Sequence, residues 1–84
     1  MEFPSFRKIE HADVYYKIID TNSFVELKKM GKYYFEEEFI AQIYPDKLRI
    51  QEMLMEEKPF QKISQLEYES IHLEWSKNLT KSSF

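Results

Sequence analysis

The chain has 84 residues, a formal net charge of −3 and no cysteine, with 17% aromatic residues. That length supports one domain, spanning 1–84, which is marginal unless its core side chains are large; each aromatic ring here can bury on the order of 150–250 Å². The charge gives no general attraction to phosphate, the absent cysteines remove disulfides and thiolate metal sites, and no apolar run reaches the length of a membrane span.

The opening MEFPSFRKIEH lacks the basic-then-apolar order of a secretory signal, so a soluble, cytoplasmic protein is expected. Asn78, Leu79 and Thr80 match a glycosylation acceptor, which has no meaning without secretion. Residues 1–5 are expected to be a loose lead-in, because Pro4 opposes a helix there. Residues 6–10 then read as a short edge strand and 11–13 as a connection. VYYKII, residues 14–19, is β-branched and aromatic and predicts a strand with Val14, Tyr16 and Ile18 on one face and Tyr15, Lys17 and Ile19 on the other. Asp20, Thr21, Asn22 and Ser23 form a turn cluster whose side chains can bond back to nearby backbone.

FVELKKMGKYYFEEEFIA, residues 24–41, holds the only glycine and the longest alternating run. It reads as a hairpin: a strand over 24–28, a turn over 28–32 built on Gly31, and a strand from Tyr33 to about Ile43. In the second strand Tyr33, Phe35, Glu37, Phe39, Ala41 and Ile43 share one face; Lys32, Tyr34, Glu36, Glu38, Ile40 and Gln42 share the other. The contrast predicts a sheet with one face on a core and one in water.

Tyr44, Pro45 and Asp46 are expected to end the sheet, with Asp46 capping a short helix over 47–56 whose apolar positions are Leu48, Ile50, Met53 and Leu54. Residues 60–63 form a brief extended piece suited to a sheet edge. Ser64, Gln65, Leu66 and Glu67 make a capping box, and Ile63 with Tyr68 has the spacing of a hydrophobic staple. A helix therefore starts at Gln65, with an apolar stripe of Tyr68, Ile71, Trp75 and Leu79, and Leu66 and Leu73 to either side. Residues 81–84 are expected to fray.

The predicted fold is α+β: a mainly antiparallel meander of three to five strands, a short helix, and a C-terminal helix packed on one face. The alternative is a small barrel plugged by the last helix. Val14, Tyr16, Ile18, Phe24, Phe35, Phe39, Ile50, Leu54, Ile71 and Trp75 are the expected core.

No residue is assigned a catalytic, cofactor-binding or metal role, and no cofactor is expected. One glycine in the chain leaves no phosphate-cradling loop or nucleophile elbow. His11 and His72 lack a His or Cys at metal-ligand spacing and read as solvent-facing or hydrogen-bonded side chains. Glu36 and Glu38 share an exposed strand face, while Glu37 points inward and needs either the sheet margin or a partner such as Lys17.

Tyr15 and Tyr16 lie beside Lys17, and Tyr33 and Tyr34 beside Lys32, so one ring of each pair should face solvent. Tyr15, Lys17, Lys32 and Tyr34 are therefore the candidate interaction surface. The expected function is a non-enzymatic protein-interaction module, with homodimerisation open and an exposed apolar or aromatic patch as its mark. A single-stranded nucleic-acid binder is the alternative, disfavoured by the charge; it requires Lys17, Lys28, Lys29 and Lys32 to converge near an exposed tyrosine. An enzyme requires His11, Asp13 and a glutamate to meet in a cleft.

Overall fold

The computed structural model describes residues 3–77. Leu79, the Asn78–Thr80 triplet and the expected fraying at 81–84 lie outside the described residues. The hairpins follow from local chemistry. β2 (Val14–Asp20) turns into β3 (Ser23–Met30) where the Asp20 carboxylate accepts from the Asn22 N–H at 2.7 Å and the Ser23 hydroxyl at 3.1 Å. β3 turns into β4 (Tyr33–Ile40) through Gly31 and Lys32 alone, since Met30 pairs directly with Tyr33. Gly31 has φ +61°, the positive sign that a two-residue loop needs at its first position. The expected five-residue turn is thus two residues long: β3 runs on to Met30, and β4 starts at Tyr33 as the sequence places it.

β1 (Ser5–Ile9) pairs antiparallel with β2, and the short β5 (Phe60–Lys62) returns to pair antiparallel with β1. The sheet order is β4-β3-β2-β1-β5. β1 is therefore interior and not the edge strand expected of residues 6–10; β5 and β4 are the two edges.

Both faces of this sheet are covered, where the alternation predicted one in water. Tyr16, Ile18 and Phe24 pack with Ile50 and Met53 of α1 (Tyr44–Leu54), joined by Val14, Phe39 and Leu54. Phe6, Tyr15 and Leu27 pack on the other side with Ile63 and with Tyr68 and Trp75 of α2 (Gln65–Ser76), joined by Tyr34 and Ile71. Adjacent residues of β2 thus serve two separate cores. Ile71 and Trp75 belong to the one opposite Tyr16, and Phe35 enters neither. Apolar residues on both strand faces carry this signal, since a strand covered twice reads as a continuous apolar run, as VYYKII does.

Two helix starts differ in kind. Pro45 lies in the first turn of α1 and opens the helix three residues before the expected start, because a proline there gives up an N–H that had no partner. Asp46 sits in that first turn and not at the cap, which is Ile43, without a side-chain bond; its charge favours the helix dipole from inside. α2 begins where the sequence places it, with the Ser64 Oγ accepting from the Glu67 N–H at 3.1 Å.

The far end of α1 is closed by a residue from the sheet. Arg7, 5% exposed, donates from Nε to the Met53 carbonyl at 2.7 Å, from Nη2 to Leu54 at 3.3 Å and from Nη1 to its neighbour Phe6 at 2.7 Å. Burial lowers its pKa and nearby Glu56 pushes it back. The last turn of α1 has no basic residue of its own, so a cation from β1 meets the helix dipole.

Candidate functional site

The four residues predicted to form an interaction surface do not make an open platform. Tyr15 is 8% exposed, which removes it from any open platform; its ring meets Trp75 edge-on at 5.4 Å and 79°. Tyr34 packs on the same indole at 5.4 Å and 57°. Trp75 fills the space that the aromatic platform was to leave open. Lys17 lies on the floor of a cleft beside α2, and Lys32 in the β3–β4 turn covers the Tyr33 ring at 5.6 Å. Lys29 lies on the α2 side over Tyr34, whereas Lys28 is on the α1 side, 3.8 Å from Glu26. The four lysines of the nucleic-acid reading do not share a surface.

The histidines are equally separate. His11 is 89% exposed by side chain, in the β1–β2 turn at φ 62°, with its Nε2 3.3 Å from Glu10. His72 contacts Glu36 at 2.8 Å across the edge of the α2 layer and stacks on Tyr68. Burial, with the Glu36 charge adding to it, pushes the Tyr68 phenol far above its ordinary range. Together with Lys17, Glu69, Phe6 and Val25 these residues line a cleft of about 240 Å³. Apart from the His72–Glu36 pair, no hydrogen bond or ion pair among the described residues joins the titratable side chains of this cleft to one another. Among the described residues no three His, Cys, Asp or Glu side chains stand where they could hold a metal ion.

A second, partly buried polar cluster is a structural one. The Tyr16 hydroxyl donates to Glu26 Oε2 at 2.8 Å and accepts from Arg49 Nη2 at 2.9 Å, and Arg49 reaches the same carboxylate at 3.2 Å. The guanidinium lies over the rings of Tyr16, Phe24 and Phe39 at 5.3 to 5.9 Å. Burial first, then the Glu26 bond, pushes the Tyr16 phenol up to about 12. The cluster locks α1 to the middle of the sheet. It also neutralises Glu26, which stands opposite Glu37 in the register. Glu37 itself, on the α1 face, cannot reach Lys17 on the other; being on an edge strand, it projects into solvent.

What the fold leaves exposed lies elsewhere. β4 pairs with β3 on one side only. At its end Ile40 is 63% exposed, then Ala41 tucks inward and donates its N–H to the Asn22 carbonyl at 2.6 Å, and Ile43 and Tyr44 emerge at 61% and 72%. Leu48, one helical turn beyond Tyr44, is 40% exposed. Ile43, Tyr44 and Leu48 thus make an exposed apolar corner where β4 passes into α1, while Ile40 is exposed at the end of β4 on the α2 side. On the helix, Tyr44, Leu48 and Met55 recur at a spacing that puts them on one stripe, opposite the buried Ile50 and Met53. α2 does the same with Leu66 and Leu73, which share an outward stripe opposite Tyr68 and Trp75 and do not flank the buried one.

No known protein family, curated protein or solved structure matches this chain. The corner is therefore read from its own chemistry. Sequence reasoning counted Leu48 among the apolar positions of the helix without placing it in the core, and set Ile43 on the apolar strand face, so the exposed group was missed. The available signals were the spacing, which sets Leu48 opposite Ile50 and Met53 on any helix through them, and Pro45, which starts the helix early enough to bring Tyr44 onto the same side as Leu48.

Proposed function

We propose that this domain is a non-enzymatic protein-interaction module and that residues 40–48 form its contact surface. The observation that carries the reading is the corner itself: Ile43, Tyr44 and Leu48 leave water-exposed apolar surface where an open strand passes into α1, with Ile40 exposed at the strand's end. Large apolar side chains grouped in this way mark association surfaces, and a tyrosine adds a rigid contact with a polar tip.

The test compares the immobilised domain with a Tyr44→Ser, Leu48→Ser double variant, on lysate treated with nuclease, together with sedimentation equilibrium of both. A protein retained by the native chain and lost with the variant, or a dimer that the variant dissociates, supports the reading. Retention that the variant leaves unchanged, or a monomer that retains nothing, overturns it.

A further inference from the structure

β4 is the long open edge of the sheet, eight residues against three in β5. On an edge strand alternate N–H and C=O groups point outward without a ladder partner, and a chain laid alongside satisfies them. What can lie there is set by the side chains. Glu36, Glu37 and Glu38 occupy its middle and are all exposed. Glu36 is engaged by His72, but among the described residues no cation lies within ion-pair reach of Glu37 or Glu38.

A second copy of this chain is a poor occupant. Two β4 strands paired antiparallel about a two-fold axis, in a register using most of their length, set glutamates 36–38 of each against those of the other. An acidic strand is rejected for the same reason. An extended segment carrying lysine or arginine is complementary on both sides, because Glu36 and Glu38 flank the α2 side of the added strand and Glu37 the α1 side.

We infer that β4 takes up an extended basic segment of a partner protein as a sixth strand, with the corner at residues 40–48 receiving an apolar residue at the segment's end. This rests on the interaction reading above and names the partner's chemistry. Backbone pairing supplies the register, the glutamates select the charge, and the corner fixes the direction in which the segment runs.

The probe is a synthetic peptide of about eight residues, matching the strand, that alternates lysine with valine and threonine. Its counterparts are a peptide with glutamate for every lysine, and the lysine peptide N-methylated at alternate residues, which keeps the charge and removes backbone donors. Binding is followed by NMR of the amides of residues 33–40 and by their hydrogen exchange.

The lysine peptide is expected to shift these amides and slow exchange at alternate positions. The glutamate and N-methylated peptides should bind at least about tenfold more weakly. A Glu37→Lys, Glu38→Lys variant should reverse the preference and accept the glutamate peptide. Equal binding of the N-methylated peptide would reduce the effect to loose charge attraction and overturn the inference, as would unmoved β4 amides or concentration-dependent self-pairing of β4. If the corner variant abolishes capture from lysate while the lysine peptide leaves β4 untouched, the interaction reading stands and this inference alone fails.

Discussion

Tyr16 shows how one side chain can carry a pH limit for the whole fold. Its phenol is 1% exposed and its pKa is pushed up to about 12, against an ordinary value of 10.0. The folded chain therefore holds the proton more tightly than the unfolded one. The resulting stability is complete below pH 10 and is lost as pH rises from there through about 12, amounting to about 2–3 kcal/mol. Tyr68, raised further by burial, adds to the same alkaline loss. Urea unfolding of a Tyr16→Phe variant should cost about 1 kcal/mol at neutral pH and show a shallower decline over the alkaline range. The neighbouring pair tests the opposite sign. Glu37 faces Glu26 across β3 and β4, and like charges directly opposite oppose pairing. Glu37→Thr should raise the unfolding midpoint, by about 0.5 kcal/mol in stability.

At the scale of elements, the parts of the chain governed by local chemistry were legible and those governed by tertiary cover were not. The Ser64 cap and the turn cluster at Asp20 lie where the sequence places them, because each satisfies backbone groups with residues only a few positions away, and Gly31 sits in its expected turn, shorter than predicted. The covering of the second sheet face was misjudged because the alternation of β4 reports an edge strand only, whereas the apolar residues on both faces of β2 carried the signal for the strands further in. Tyr15 and Tyr34 have the spacing of exposed rings, and the return of α2 buries Tyr15 and partly covers Tyr34. Two substitutions measure the local contributions. Ser64→Ala should destabilise by about 1 kcal/mol, read by thermal melting of helical signal. Gly31→Ala meets no atom within 4 Å, so its cost, about 1 kcal/mol, is conformational alone and should appear without any change in side-chain packing.

At the scale of the molecule, the helices hide apolar residues inward and carry a second, exposed apolar stripe outward, so burial and recognition draw on opposite sides of the same elements. The Tyr44→Ser, Leu48→Ser variant should accordingly change unfolding free energy by no more than about 0.5 kcal/mol while abolishing association, a separation that denaturant titration beside sedimentation will show. Trp75→Ala should do the reverse, costing about 3–5 kcal/mol, because one indole supports Tyr15 and Tyr34 together. That indole is the sole tryptophan of the chain and belongs to one of two cores separated by the sheet. Its fluorescence is thus an optical gauge of a single layer, sensitive to the departure of α2 and blind to that of α1. Emission and far-ultraviolet dichroism recorded on the same sample will coincide if the layers melt as one unit. If the α2 layer peels away first, the emission curve will lead, and the lag between the two signals will measure how strongly the sheet transmits order from one side to the other.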